Sequence, residues 1–168
     1  MEIAILPKHA LKLKGKQATL VVNPADKATP YSAAILLGSS VVPNSDDGVV
    51  ISGPGEFEVG GIKISGTREG GDVVYTMNID GVGILLGETA AIAKTQGKLK
   101  ENNVAILYTS VVTDASLATG LATNAVLFYG EKASEVVQTF AKENVKTMPK
   151  YLITSEKLPQ EIETVLLS

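Results

Sequence analysis

The sequence predicts an α/β (α+β) domain running through residues 1–168, with strands first and αβ units later. Three observations carry that prediction. The first two-thirds is rich in β-branched residues and punctuated by glycine, in short apolar or alternating runs. Asp80-Gly81 stands between Val73–Ile79 and Val82–Leu86, among the strongest short hairpin signals. Ala133, Val136, Val137 and Phe140 recur at i, i+3, i+4 and i+7, which marks one face of an amphipathic helix.

The elements follow in order. Met1–Leu6 is a short apolar run, too short for a secretory h-region, and reads as a first strand. Leu11-Lys12-Leu13-Lys14 alternates, as a strand with one wet face should, and Gly15-Lys16 turns the chain into Ala18–Val22. Ala33–Leu37 is wholly apolar and suits a strand buried on both faces. Ser39–Gly48 carries Pro43, Asn44, Ser45, Asp46 and Asp47 and reads as a loop. Phe57–Val59 and Ile62–Ile64 flank Gly60-Gly61, which can supply the positive φ of a two-residue hairpin. Glu88–Asn102 is helical in part, with Gly97 a weak point. Val104–Tyr108 is a strand, Asp114–Thr123 a short helix capped by Thr113 or Asp114, and Ala125–Tyr129 another strand. Leu152–Thr154 and Thr164–Leu167 close the chain as strands, with Leu158-Pro159 between them. No repeat, low-complexity tract or interdomain linker interrupts this order.

Composition bounds the function classes. Hydrophobic residues make up 45% of 168, enough to bury a continuous core, and 20% are charged. The net charge of −3 argues against a nucleic-acid binder, which needs a dense basic face. Arg68 is the only arginine, which excludes phosphate recognition by several guanidinium forks. The chain has no cysteine, hence no disulfide, thiolate nucleophile or cysteine metal site. No apolar stretch approaches the roughly 20 residues of a membrane span, so a cytoplasmic protein away from membranes is expected.

Four stretches together resemble a known family. Gly53-Pro54-Gly55-Glu56-Phe57-Glu58-Val59-Gly60-Gly61-Ile62-Lys63-Ile64 is similar to a hairpin of metallo-β-lactamase-fold proteins, the short bacterial members related to ascorbate-6-phosphate lactonase. Ile79–Glu88, ending Leu86-Gly87-Glu88, resembles that family's strand ending in a Gly-Asp metal motif. Leu20-Val21-Val22-Asn23-Pro24 resembles its strand ending in Asp-Pro, and Tyr151–Thr154 with Glu163-Thr164-Val165 its closing strands. The resemblance covers nearly the whole chain in the right order. It implies a four-layer αββα sandwich near its minimum length.

The departures matter as much. Hydrolytic members of the family carry a His-x-His-x-Asp-His motif after the third strand, whose imidazoles and carboxylate bind zinc and generate a hydroxide. Here that region reads Leu36-Leu37-Gly38-Ser39-Ser40-Val41-Val42-Pro43. The next family histidine falls near Thr67-Arg68-Glu69, the last near Gly130, and Glu88 stands where the bridging aspartate would. His9 is the sole histidine and reads as a surface or turn residue.

Other constellations fail on spacing. Gly38-Ser39-Ser40 follows an apolar strand, but Val41-Val42 breaks a Gly-x-Ser-x-Gly elbow. Gly53-Pro54-Gly55 and Gly81-Val82-Gly83 lack the spacing of phosphate loops and read as turns. Lys8, Lys12, Lys14 and Lys16 read as lysines that keep an edge strand soluble, rather than as a phosphate site. Asp46, Asp47, Glu56, Glu58, Glu69, Asp72 and Glu88 could share one side of the fold, where oxygen ligands would suit calcium or magnesium. The polar stretch from Thr109-Ser110 to Thr123-Asn124 would border the mouth of the family's cleft.

The sequence therefore predicts a metal-free, non-hydrolytic protein acting by binding or self-assembly, with a homodimer expected and no cofactor or catalytic residue assigned. Two alternatives stand beside it. One is a residual phosphodiester or lactone hydrolase using a divalent cation on Asp46, Asp47 or Glu88. The other is a small-molecule sensor whose ligand occupies the former cleft. Phe128 and Tyr129 are the side chains that could fill that cleft and remove both.

Overall fold

The computed structural model describes residues 1–26, 29–38, 48–95, 101–113, 120–141 and 144–168. Among them fourteen strands form two sheets. The first sheet begins with β1 (Glu2–Ile5), β2 (Leu11–Lys14), β3 (Thr19–Val22), β4 (Ala33–Ile35) and β5 (Val49–Ile51), and takes β13 (Lys150–Leu152) on its far edge. The second contains β6 (Gly55–Val59), β7 (Ile62–Glu69), β8 (Asp72–Ile79), β9 (Val82–Glu88), β10 (Val104–Tyr108), β11 (Ala125–Tyr129), β12 (Val145–Met148) and β14 (Glu163–Leu167). Its spatial order is β12-β14-β11-β10-β9-β8-β7-β6. From β12 to β9 the pairs are parallel; β8, β7 and β6 continue as an antiparallel meander.

The meander is built by turn chemistry. Gly60-Gly61 and Asp80-Gly81 both adopt positive φ at each central residue (54° and 78°, 53° and 80°), the primed geometry that matches strand twist. Asn78 Oδ1 accepts the Gly81 N–H at 3.0 Å, which fixes the second turn from within. A third two-residue turn, Gly70-Gly71, joins β7 to β8 where the sequence was not read as a hairpin.

The wholly apolar strands are explained by two faces that both need covering. On β10 and β11, Val104, Ile106, Ala125, Leu127 and Tyr129 join a core shared with Ile3, Leu11, Leu13, Leu20 and Ile35 of the first sheet. The alternate residues Ala105, Leu107, Val126 and Phe128 pack outward under α1 (Thr89–Lys94) and α2 (Ala133–Phe140). Gly87 keeps that outer face open; a Cβ there would sit 3.3 Å from both Ile92 and Val74. The expected amphipathic stripe of α2 is the one that packs, with Phe128 and Phe140 rings 5.0 Å apart. The two-sheet α/β sandwich with few helices is the expected architecture, and both described helices cover the second sheet. None of the described helices is long and apolar enough to cross a membrane.

Several local expectations shift. β2 lies between β1 and β3 rather than at an edge, so its lysines do not guard one. Lys12 instead pairs with Glu2 at 3.0 Å, and Lys150 reaches the same carboxylate. The strand expected at Leu152–Thr154 begins earlier, at Lys150, and β5 and β12 were not foreseen. The helix expected over Asp114–Thr123 falls mostly outside the described residues, as do Asp46, Asp47 and nearly all of the Ser39–Gly48 loop.

Candidate functional site

The ends of β9, β10 and β11 define the site. Parallel pairing places Tyr108 opposite Glu88 on one side and Tyr129 on the other. Each continues the inward-facing series of its strand, so the three side chains form one row at the carboxyl ends of three parallel strands. That is where open α/β sheets place their ligand crevices. A cleft of about 580 Å³ opens there, lined by Leu37, Gly38, Gly71, Asp72, Glu88, Tyr108 and Ser110. Leu37-Gly38 comes from the segment after β4, so both sheets contribute.

Glu88 is the chemical centre of the row. Ser110 Oγ donates to its Oε2 at 3.3 Å. Partial burial raises its pKa above the usual carboxylate range, the negative charges of Asp72 and Glu131 add to that rise, and the Ser110 hydrogen bond opposes it. Tyr108 donates to Glu131 Oε2 at 3.3 Å; burial and that carboxylate push its pKa up to about 12. Tyr129 is fully buried against Tyr108, ring centres 5.2 Å apart, and its hydroxyl has no hydrogen-bond partner among the described residues. Burial raises its pKa well above the ordinary value. Behind the row, Thr89 and Thr109 hydroxyls meet at 2.9 Å and tie α1 to the end of β10. Asn23, with φ 47°, accepts the Leu37 N–H through Oδ1 at 2.8 Å and holds the opposite wall, and its side chain opposes the rise of the Tyr108 pKa.

The structure brings together part of what the sequence singled out. Gly38, Glu88 and Ser110 line the cleft, and Gly130 follows Tyr129 directly after β11. Asp72 joins Glu88, whereas Glu56 lies in a different hollow with Lys63, Ser65 and Thr76 and bonds Ser65 at 2.6 Å. His9 is exposed on the one-turn segment after β1, with φ 58°. Phe128 points to the helical side and does not enter the cleft, and Tyr129 lies in the inter-sheet core. Asn23 stands where the resemblance sets the Asp of an Asp-Pro strand end, whereas Tyr108 carries no motif of its own. The signal for Tyr108 was its place at the end of an apolar strand between two others whose last residues were already suspected.

A zinc centre does not fit this donor set. The whole chain offers one imidazole, at an exposed turn, and no thiolate. Among the described residues no three His, Asp or Glu side chains converge as metal ligands. Gly38 and Gly130, which the sequence resemblance sets near ligand positions, both take positive φ. Gly38 has φ 61°, and the Glu88 carboxylate occupies the space a Cβ there would need. Gly130 has φ 113°, and a Cβ would lie 2.7 Å from the Thr109 carbonyl oxygen. At Gly130 the contact is with backbone, so no imidazole fits there without the chain moving, whereas at Gly38 only the Glu88 side chain would have to turn away.

The architecture is that of the metallo-β-lactamase fold. The chain is similar, at TM-score 0.75 and 16% identity, to a structure assigned as a zinc-dependent hydrolase of the metallo-β-lactamase superfamily from Thermotoga maritima; the match covers 99% of this chain and 98% of that one. A structure from Parabacteroides distasonis, assigned as a metal-dependent hydrolase, matches at TM-score 0.62 and 13% identity over 99% and 93% of the two chains. The metallo-β-lactamase-fold protein YhfI from Bacillus subtilis matches at 0.55 and 6% over 99% and 95%. No family model and no curated protein sequence matches the chain. At these identities the shared property is the fold.

Proposed function

We propose that residues 1–168 act as one metal-free domain that binds a small polar ligand in the former metal cleft and does not hydrolyse. The observation that carries this reading is an open, polar cleft near a glycine, Gly130, whose backbone admits no side chain. Where the resemblance would place imidazoles, Gly130 has no room for a Cβ beside the Thr109 carbonyl, and Gly38 lines a cleft that stays open and polar. Loss of zinc ligands alone would fit a decayed site. An open cleft with a hydrogen-bonded acid fits a retained one.

Elemental analysis of purified protein, with phosphodiester and lactone hydrolysis assayed in added magnesium or manganese, tests it. We expect no stoichiometric zinc and no turnover above buffer. One tightly held zinc per chain would overturn the reading. Divalent-dependent hydrolysis abolished by Glu88→Gln would replace it with the residual hydrolase, for which the pairing of Asp72 with Glu88 in one cleft is the supporting observation. The same reading includes a homodimer. Its support is the exposure of Val49 and Val50 on β5 and Leu152 on β13, the two edges of one sheet. Light scattering during size exclusion should give twice the chain mass.

A further inference from the structure

We propose that a hollow at the end of the sandwich opposite the Glu88 cleft is a second binding site, built for a small organic phosphate. Lys14, Lys16 and Lys157 hold the phosphate monoester head, and Leu152 carries its apolar part. The site shares no residue with the cleft and stands whether or not the cleft binds a ligand.

Strand direction fixes the position. β9 runs from the Asp80-Gly81 turn to Glu88, and β3 runs from the Gly15–Ala18 turn toward Asn23, so both turns lie at the far end from the cleft. A hollow of about 500 Å³ opens there, and its walls include Met1, Lys14, Lys16, Leu152, Thr154 and Lys157. The turns that frame it are locked to one another. The Gly15 N–H bonds the Ala18 carbonyl at 3.0 Å, and a Cβ on Gly15 would lie 2.7 Å from Ile79, so the β2–β3 turn sits directly on the end of β8. Asp80 fastens the same turn through the Lys16 N–H. A third turn, closed by the Lys157 N–H on the Thr154 carbonyl at 3.0 Å, brings Ser155 to 3.3 Å from where a Cβ on Gly81 would stand. The backbones that carry the lysines are thereby held around one opening before a ligand arrives, which lowers the ordering cost of binding.

Charge selects an anion. Two acids also line the hollow, Glu2 and Asp80, and both are engaged. Glu2 pairs with Lys12 at 3.0 Å and Lys150 at 3.4 Å, neither of which lines the hollow. Asp80 accepts the Lys16 N–H with both oxygens and lies 3.7 Å from the Met1 ammonium. The side-chain ammonium groups of Lys14, Lys16 and Lys157 have no acceptor among the described residues. β2 is an interior strand, so Lys14 has no sheet edge to guard. An ammonium only donates, and the capacity left at the rim is therefore for an anion. A phosphate monoester brings three acceptor oxygens and a charge of about −1.5 to −2 near neutral pH, which matches three monocations better than a single carboxylate does.

Leu152 is the independent observation. Register sets Leu152, Glu2 and Lys14 in one row across β13, β1 and β2, on the face away from the core residues Tyr151, Ile3 and Leu13. At 65% exposure Leu152 is the most exposed large hydrophobic among the described residues, and it shares the wall of the hollow with Met1 and Ile153. Bare phosphate would leave that wall wet, whereas an ester with a chain of several carbons covers it. Pairing of a second copy on the β13 edge uses backbone groups, and it leaves the Leu152 side chain, which stands out of the sheet plane, to the ligand.

The test uses n-hexyl phosphate, inorganic phosphate, n-hexanoate and n-hexylammonium as probes, with binding to the full chain followed by calorimetry and amide chemical shifts. Hexyl phosphate should bind saturably at one site per chain and shift the amides of residues 14–18, 80–81 and 152–157. Inorganic phosphate and hexanoate should bind more weakly, and hexylammonium should not bind. Lys14→Gln and Lys157→Gln combined should weaken hexyl phosphate roughly tenfold or more. Leu152→Ser should weaken hexyl phosphate and leave inorganic phosphate unchanged. The three side chains are exposed, and thermal unfolding should confirm that both variants are folded. Lys63→Gln, exposed in a different hollow, controls for net charge and should change nothing. Hexyl phosphate that fails to bind, an equal loss in Lys63→Gln, unchanged affinity in the double variant, hexylammonium binding, or shifts confined to the cleft around Glu88 would each overturn the assignment. Binding to phosphatidylcholine vesicles carrying phosphatidic acid, without binding of free hexyl phosphate, would replace the small ligand with a lipid surface. Zinc content and hydrolysis do not enter these measurements, so this site and the cleft reading fail separately.

Discussion

A buried hydroxyl with no partner is a standing cost, and among the described residues Tyr129 gives that cost an address. Tyr129→Phe removes the unsatisfied oxygen and keeps the ring against Tyr108, so it should stabilise the ligand-free protein by about 1 kcal/mol. Tyr151→Phe is the matched opposite. That hydroxyl donates to Glu163 Oε2 at 2.9 Å, and losing it should cost about 1 kcal/mol. Urea denaturation of the two variants should move the midpoint in opposite directions; a loss in both would mean that Tyr129 has a partner in solution. Gly130 makes the complementary point about space. A methyl group there is forced against the Thr109 carbonyl at a positive φ, so Gly130→Ala should lose more than about 2 kcal/mol by the same measurement. Gly130→His should be worse and should not recover zinc. The glycine is a structural commitment, not a vacancy awaiting its histidine.

The turn between β8 and β9 shows what a local signal conveys and where it stops. Asp80-Gly81 is legible because only a few residue types accept positive φ at both central positions, and the structure places both there. What the spacing could not convey is the use made of the Asp80 side chain. Both its oxygens accept the Lys16 N–H, at 3.2 and 3.1 Å, and Oδ2 lies 3.7 Å from the Met1 ammonium, so a turn of one sheet is tied to the β2–β3 turn and the N-terminus of the other. Asp80→Ala should cost about 1–3 kcal/mol through the lost acceptor and the strained φ. Asp80→Asn, which keeps an acceptor and tolerates the conformation, should recover at least half of that in thermal unfolding. Equal losses would place the whole effect in the charge. The same limit applies to the cleft. Glu88 was legible because it ends a strand in a Gly-acid pair, and the apolar runs of β9, β10 and β11 announced their burial. The row Glu88-Tyr108-Tyr129 was not, because parallel register is set by tertiary pairing between strands some twenty residues apart. β5 and β12 escaped notice for a related reason. They are short edge strands that carry exposed residues and no alternating pattern.

Across the whole molecule, the last two dozen residues sew the sandwich together. β12 and β14 belong to the second sheet, and β13 between them belongs to the first. Glu163 on β14 holds both connections: Lys146 of β12 donates to one carboxylate oxygen and Tyr151 of β13 to the other. The bonded Lys146 ammonium, assisted by the Tyr151 hydroxyl, holds the Glu163 carboxyl below the usual carboxylate range against the opposing effect of desolvation. A folded-state pKa lower than the unfolded one means that the unfolded chain binds the proton first. Stability from this acid is therefore complete above the unfolded carboxylate value and declines as the pH falls through the lowered folded value. Urea midpoints measured from neutral pH down into the acid range should fall over that window in the wild type. Glu163→Gln should start lower at neutral pH, having lost the charged bond, and approach the wild type as the acid in the latter becomes protonated. Because Glu163 links β12 within its own sheet and, through Tyr151, β13 of the other, far-UV circular dichroism and tyrosine fluorescence should shift together in this variant, as one transition. Tyr75 and Tyr129 report on the inter-sheet core while the dichroism reports on the strands, so separation of the two signals would mean that the sheets unfold independently and that residues 1–168 are not one cooperative unit.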